Sequence, residues 1–272
     1  MDNIYGLIGR KLSHSFSPQI HNIIFDELNL KGSYNIFETA KDNLEHLLVA
    51  LKKSDVKGIN VTLPYKTVIM KYLNNISPEA QRIGAINTIK FKDEILEGHN
   101  TDYIGFGASL KNSNIEIKNK VATILGTGGA SKAVSQYLID HEISNICFVS
   151  RNPNNILSNT SNIEIISYDE LKRKKSGQII INCTPCGMYP HVKECPANKN
   201  IISRYSVAID LIYNPMETVF IKYASELGLN SINGLYMLIA QAIASEEIWH
   251  NTKFDQKSID DIYTKVKKSL YL

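Results

Sequence analysis

At 272 residues, with 43% hydrophobic and 21% charged side chains, the chain has a globular composition and enough length for two domains. No apolar run approaches the ~18–20 residues of a membrane span, and the first ten residues hold Asp2 rather than the basic-then-apolar pattern of a leader, so a soluble, cytoplasmic protein is expected. A formal net charge of +3 is small, and the basic run Lys172 to Lys175 lacks interleaved aromatic residues, which argues against a nucleic-acid partner.

Residues 3–9, "NIYGLIG", form a short apolar strand. In "SFSPQIHNIIFDEL", Ser17 suits an N-cap and Pro18 the first helical position, with Ile20, Ile23, Ile24 and Leu28 at helical spacing. A strand over 33–39 and a helix over 42–54 follow, with Leu44, Leu47, Leu48 and Leu51 on one helical face. "GINVTLP" is the next strand, and it leaves Lys66 just beyond its end. A third helix is expected through "TVIMKYLNNISPEAQRIGA", broken near Pro78, before strands over 86–91 and 94–100. A helix over 102–112 places Asp102 at its cap.

The second half repeats a strand–helix rhythm. "KVATILGTGGASKAVSQYLIDHEI" gives a strand, a glycine turn and a helix, and further strands are expected at 144–150, 163–167, 178–184 and 205–213. Such alternation predicts a doubly wound parallel sheet. Two segments, "METVFIKYASELG" and "NGLYMLIAQAIASEEIWHN", are expected to be the last helices. The second is apolar on more than one face, as a helix packed on several sides would be.

The glycines of "ILGTGGAS" stand directly between an apolar strand and a helix, the context that gives this pattern meaning. Gly126 permits a tight turn, and Gly128 and Gly129 let the backbone approach a pyrophosphate at a helix N-terminus. Ser131 stands where a third glycine would complete G-x-G-x-x-G. An NAD enzyme normally places a carboxylate at the end of the next strand, but here that strand ends in Ser150, Arg151 and Asn152. A guanidinium without a competing carboxylate suits the extra phosphate of NADP.

"CTPCGMYPHVKEC" holds Cys183, Cys186, His191 and Cys195. A thioredoxin-type pair should open a helix, whereas Gly187 follows here. Three cysteines and a histidine could close a zinc shell, but the strand-to-loop character of "QIIINCTP" also suits Cys183 as a small buried apolar group. Elsewhere, reduction of a carbonyl by a nicotinamide needs a proton donor besides the hydride. Lys66 can fill that role if a carboxylate or partial burial tunes it, and Asp102 is a candidate partner.

The ordered motifs "SHSFSPQIHN", "NVTLPYK", "GAINT", "HNTD", "GTGGAS", "SRN", "NCTPCGM", "DLIYNP" and "NGLYMLIAQA" resemble the shikimate dehydrogenase family along nearly the whole chain. The resemblance implies an α/β protein with an N-terminal substrate domain, 1–101 with 236–272, and a Rossmann-type NADP-binding domain with a doubly wound parallel sheet, 102–235, facing each other across a cleft. It implies reversible, NADPH-dependent reduction of 3-dehydroshikimate to shikimate in aromatic amino-acid (chorismate) biosynthesis, without a metal, by a monomer or homodimer. By the same resemblance Ser15 and Ser17 hold the substrate carboxylate, with Tyr213 a further polar contact. Thr62, Lys66, Asn87, Asp102 and Gln241 hold the ring hydroxyls and the reacting oxygen, Lys66 and Asp102 being catalytic. Gly126, Thr127, Gly128, Gly129, Ala130, Ser150, Arg151, Asn152, Leu211 and Gly234 line the cofactor.

Two departures stand out. Many NADP-dependent members carry a second basic residue shortly after the arginine, where this chain has Pro153, Asn154 and Asn155. Cys183 and Cys186 occupy positions of a loop where alanine and a variable residue are usual, which favours packing over metal. Competing readings are a quinate/shikimate dehydrogenase using NAD, which the Ser-Phe-Ser pair disfavours, and a non-catalytic dinucleotide-binding regulator, which the presence of both Lys66 and Asp102 disfavours.

Overall fold

The computed structural model describes residues 3–13, 15–153, 162–174 and 177–271. The chain divides into two compact units, Met1–Gly105 with Ile239–Leu272, and Phe106–Leu238.

The first unit alternates β1 (Asn3–Gly9), α1 (Ser17–Glu27), β2 (Gly32–Glu38), α2 (Leu44–Lys53) and β3 (Val56–Val61). Then come β4 (Asn75–Ile76), α3 (Pro78–Ile83), β5 (Thr88–Lys92), β6 (Ile95–His99) and the start of α4 (Thr101–Asn112), whose residues from Phe106 on belong to the second unit. Its sheet has the order β2-β1-β3-β5-β6-β4. β1 pairs parallel with β2 and β3, whereas β5 runs antiparallel to β3 and β6. Leu44, Leu48 and Leu51 of α2 bury one face against Ile8, Ile59 and Val61 of the sheet, as their spacing requires.

Local details differ from the expectations. In α1 the cap position falls to Phe16, so Ser17 is already helical and its amide donates to Ser15 Oγ at 3.2 Å. The expected third helix is a 3-10 turn over Val68–Tyr72, the short strand β4 and the separate helix α3. Ser77 explains the restart, because its hydroxyl accepts from the Ala80 amide ahead of Pro78. Asp102 does not cap α4. Asn100 Oδ1 accepts from the Tyr103 amide at 3.2 Å, which leaves the Asp102 carboxylate available to other partners.

The second unit contains β7 (Val121–Leu125), α5 (Gly129–Asp140), β8 (Asn145–Ser150), β9 (Ile163–Ser167) and α6 (Tyr168–Arg173). It continues through β10 (Ile179–Asn182), α7 (Lys199–Ile202), β11 (Val207–Asp210), α8 (Val219–Glu226) and β12 (Asn230–Ile232). The sheet, β12-β11-β10-β7-β8-β9, is parallel throughout. Counted within the unit, this is the 3-2-1-4-5-6 order of a Rossmann fold, whose switch point lies between its first and fourth strands, β7 and β10. Apolar clusters flank the sheet, one built on Phe106, Ile124, Val134 and Leu138, the other on Leu125, Val149, Ile180 and Phe220. β10 and β11 are shorter than the apolar runs that announce them, so Cys183 and Leu211 to Tyr213 fall in the loops at their ends.

Two last helices follow, α9 (Leu235–His250) and α10 (Gln256–Tyr271), the second of which the sequence reading omits. Within the first unit, α9 is fixed by a buried pair between Glu246 Oε1 and His21 Nδ1 of α1 at 2.5 Å. Trp249 Nε1 also donates to the Ile89 carbonyl of β5 at 3.0 Å. α10 packs on α1, where Gln19 Nε2 donates to Ser269 Oγ at 2.6 Å.

Candidate functional site

Lys66 follows the end of β3 and reaches Asp102 in the first turn of α4, with Nζ 2.5 Å from Oδ2. The other carboxylate oxygen accepts from Asn87 Nδ2 at 2.9 Å. Asn87 cannot turn its amide over without loss, because its carbonyl oxygen accepts from the Thr101 backbone amide at 2.7 Å, a donor only. Gln241 of α9 stands close by, its Oε1 3.5 Å from Asn87 Nδ2 and 3.4 Å from Thr101 Oγ1. A lysine, a carboxylate and two amides thus meet in one place, with Lys66 and Asp102 retaining 15% and 11% side-chain exposure. That residual access lets a small oxygenated molecule reach the pair.

Behind them lies a buried polar layer; of its members the sequence marks Asn60, expected on the open end of the strand with Thr62 but found buried, while Thr88, Thr101 and Ser245 went unmarked. Thr88 Oγ1 donates to Asn87 Oδ1 at 3.1 Å and meets Ser245 Oγ at 2.9 Å. Asn60 Nδ2 donates to both Thr88 Oγ1 and Ser245 Oγ, at 3.1 and 2.9 Å. Its carbonyl accepts from the Tyr34 hydroxyl at 2.7 Å, and Tyr34 also interacts with the Ser17 side chain. Every hydroxyl and amide here is buried and partnered, which holds the layer rigid. A clue was present in sequence for Thr88, next to Asn87, and for Ser245, one helical turn beyond Gln241. Ser15, Ser17 and Thr62 are half-buried, and the Thr62 amide donates to the Ile8 carbonyl at 2.9 Å, continuing the β1–β3 pairing.

In the second unit, Gly126 ends β7 with φ of +94°, a conformation that a side chain would strain, and a Cβ there would lie 2.8 Å from Thr184 Cγ2. Gly128 occupies the N-cap of the twelve-residue helix α5 and supplies no side-chain cap, so the first amides of that helix stay open to a ligand. Thr127 and Gly128 are exposed; Gly129 and Ala130 are half-buried. Ser131, in place of a third glycine, is buried and donates to the Gly128 carbonyl at 2.7 Å, closing the turn with a side chain. Ser150 is buried and accepts from the Asn152 amide at 3.1 Å, while Arg151 and Asn152 are exposed.

Gly126 to Gly128 and Ser150 to Asn152 line a cavity of about 910 Å³ together with Tyr168, Thr184, Cys186 and His191, whereas Gly129 and Ala130 do not line it. Its glycine turn, open helix end and exposed guanidinium fit a phosphorylated dinucleotide. Leu211 and Gly234 meet closely elsewhere in the same unit, the Gly234 amide donating to the Ile212 carbonyl at 2.9 Å. Tyr213 is half-buried there, and burial raises its phenol above the ordinary range. Asn154 and Asn155 lie outside the described residues.

The cysteines are free. Burial pushes the Cys183 thiol far up and that of Cys195 up to about 11, and Cys186 is raised as well. Metal ligation and nucleophilic attack both use the thiolate, so these shifts favour packing roles. Among the described residues no group of three or more His, Cys, Asp or Glu side chains is arranged to hold a metal ion. Among the same residues no helix is long and apolar enough to cross a membrane.

Comparison with known proteins gives a consistent result. Residues 7–89 match the family model described as the shikimate dehydrogenase substrate binding domain. A relative from Clostridium beijerinckii named shikimate dehydrogenase (NADP(+)) is 48% identical over 261 residues, covering 96% of each chain. A crystal structure of shikimate dehydrogenase 1 from Peptoclostridium difficile superposes with a TM-score of 0.92 at 48% identity, covering 97% of this chain and 98% of that one. A chorismate mutase/shikimate 5-dehydrogenase fusion protein from Clostridium acetobutylicum gives a TM-score of 0.94 at 47% identity, covering 99% of this chain and 98% of that one.

Proposed function

The chain belongs to the shikimate dehydrogenase family, and from that premise we propose that it interconverts 3-dehydroshikimate and shikimate with NADP, as a cytoplasmic enzyme of aromatic amino-acid biosynthesis. The observation that carries the reading is the Lys66–Asp102 contact at 2.5 Å, with Asn87 and Gln241 gathered around it.

Held by the glycine turn and the start of α5, NADPH would be the source of the hydride for the substrate carbonyl. Charge then grows on the carbonyl oxygen, and Lys66 gives it a proton; in the oxidation direction the lysine takes that proton from the hydroxyl. Asp102 holds the ammonium group in place by its Oδ2 and accepts from a neighbouring ring hydroxyl as the substrate settles. Asn87, Gln241 and Thr62 orient the remaining hydroxyls, since a polyol needs neutral donors and acceptors at several points. Ser15 and Ser17 bind the carboxylate. Gly126 to Ala130 would hold the pyrophosphate, Ser150 to Asn152 the phosphorylated adenine ribose, and Leu211 and Gly234 the far end of the cofactor.

The test is the rate of NADPH formation from shikimate, followed by absorbance beside the same assay with NAD and with quinate. Turnover with shikimate and NADP is expected to dominate. Faster turnover with NAD and quinate would assign the chain to the quinate-using branch, and no turnover with any pair would leave a dinucleotide-binding protein without this chemistry.

A further inference from the structure

We propose that the Tyr168 hydroxyl is a second binding group, beside Arg151, for the 2′-phosphate of NADP, which makes Tyr168 a determinant of cofactor choice. The proposal rests on the NADP-dependent reading above.

Arg151 has little help. The sequence carries no lysine or arginine between it and Lys172, and Arg151 is the only lysine or arginine among the described residues that line the cavity. A phosphate monoester carries close to two negative charges and three acceptor oxygens near neutral pH, more than one guanidinium satisfies. A neutral donor at the same level of the sheet would share that charge with Arg151.

Tyr168 stands at that level. β8 and β9 are parallel neighbours whose register pairs Ser150 with Ser167, so Arg151 and Tyr168 are the next residues to leave the two strands, side by side. Both line the cavity. The ring of Tyr168 packs on the core that includes Val149 and Ile166, which fixes its direction. Its hydroxyl makes no hydrogen bond to another described residue, although a half-buried phenol normally finds a partner. Burial raises its pKa, with the Cys186 thiol adding to the rise and the Arg151 charge opposing it. The group therefore remains an O–H donor at neutral pH, and it feels the guanidinium with which it would share a phosphate.

The test is calorimetric titration of the substrate-free protein with NADP⁺ and with NAD⁺, for the unaltered chain, Tyr168→Phe and Arg151→Ala. Tyr168→Phe keeps the packed ring and removes only the hydroxyl. It is expected to weaken NADP⁺ binding about tenfold, the effect of one hydrogen bond to a charged group, and to leave NAD⁺ within about twofold. Adenosine 2′-monophosphate should lose affinity in the same variant while adenosine 5′-monophosphate does not. Unchanged NADP⁺ affinity, or equal loss for both dinucleotides, overturns the assignment. If the unaltered chain oxidises shikimate with NADP⁺ while Tyr168→Phe shows no selective loss, only this assignment falls; if the unaltered chain binds no NADP⁺, the functional reading falls with it.

Discussion

Both oxygens of Asp102 accept hydrogen bonds, one from Lys66 and one from Asn87. The Asn87 amide is held in that sense by the Thr101 backbone N–H. Asp102→Asn would therefore turn a donor toward either the Asn87 amide or the Lys66 ammonium, and no rotation satisfies both. Turnover is expected to fall roughly 10²–10⁴-fold in steady-state kinetics, and the double variant with Lys66→Ala should be little worse than the poorer single one, as for groups acting as a unit. Multiplying losses would show that the two residues act separately. Arg151→Ala should weaken NADP⁺ at least about tenfold more than NAD⁺ by fluorescence titration, because the proposed reading gives the exposed guanidinium to a phosphate; a parallel loss for both would assign it to the fold. The Lys66–Asp102 contact was expected because the family's motifs fall on both residues; position alone suited a solvated lysine and a helix cap, and Asn100 takes the capping role instead. The layer that Thr88, Thr101 and Ser245 build around Asn60 was not legible in the sequence, since its contacts join residues up to 185 positions apart and no local pattern marks those three.

Asp210 shows how a buried polar group can organise element ends. At the end of β11 its Oδ1 accepts from Asn182 Nδ2 of β10 at 2.9 Å and from the Ile212 amide at 3.0 Å, and its Oδ2 from the Thr218 hydroxyl at 2.6 Å. Thr218 in turn caps α8. Burial nevertheless dominates and raises the Asp210 pKa to about 6 from 3.8. The folded state then holds this proton over a range in which the unfolded chain has lost it, so the contribution of Asp210 to stability declines as pH rises from about 4 to about 6 and is level on either side. Denaturant melts of the parent chain and Asp210→Asn across that range should show the parent losing ground by about 3 kcal/mol, two pKa units. A gap that widens in the opposite direction would remove burial as the cause. Gly234 offers a steric counterpart. A Cβ there would lie 2.0 Å from the Leu211 carbonyl oxygen, so Gly234→Ala should cost about 1–3 kcal/mol in the same melts, and an unchanged midpoint would mean the backbone yields freely.

Among the elements, the parallel strands of the second unit were legible from their continuous apolar runs, which both buried faces require. Helix α10 escaped because it is mostly polar and buries only Ile262 and Val266, although Ile259, Ile262, Val266 and Leu270 do recur at helical intervals. The segment before α3 escaped for another reason: β4 exists by pairing with β6, which a local pattern cannot reveal.

At the scale of the whole molecule, the Lys66–Asp102 pair and the cavity beside the glycine turn belong to different compact units, Lys66 and Asp102 to one and the glycine turn with Arg151 to the other. Each unit has its own sheet and its own apolar core. Binding of the cofactor and chemistry on the substrate should accordingly be separable by substitution, because a change confined to one polar cluster leaves the packing of the other unit intact. Lys66→Ala is the sharpest case. It removes the proposed proton donor and frees one oxygen of Asp102 while disturbing no residue of the cavity, so turnover should drop roughly 10²–10⁴-fold. NADP⁺ affinity, measured by fluorescence titration without substrate, should stay within about twofold. Loss of turnover with cofactor binding preserved would place Lys66 in the chemical step. Near-normal turnover would remove the lysine from the reaction, and a matching collapse in NADP⁺ affinity would show that the two units do not divide the work in this way.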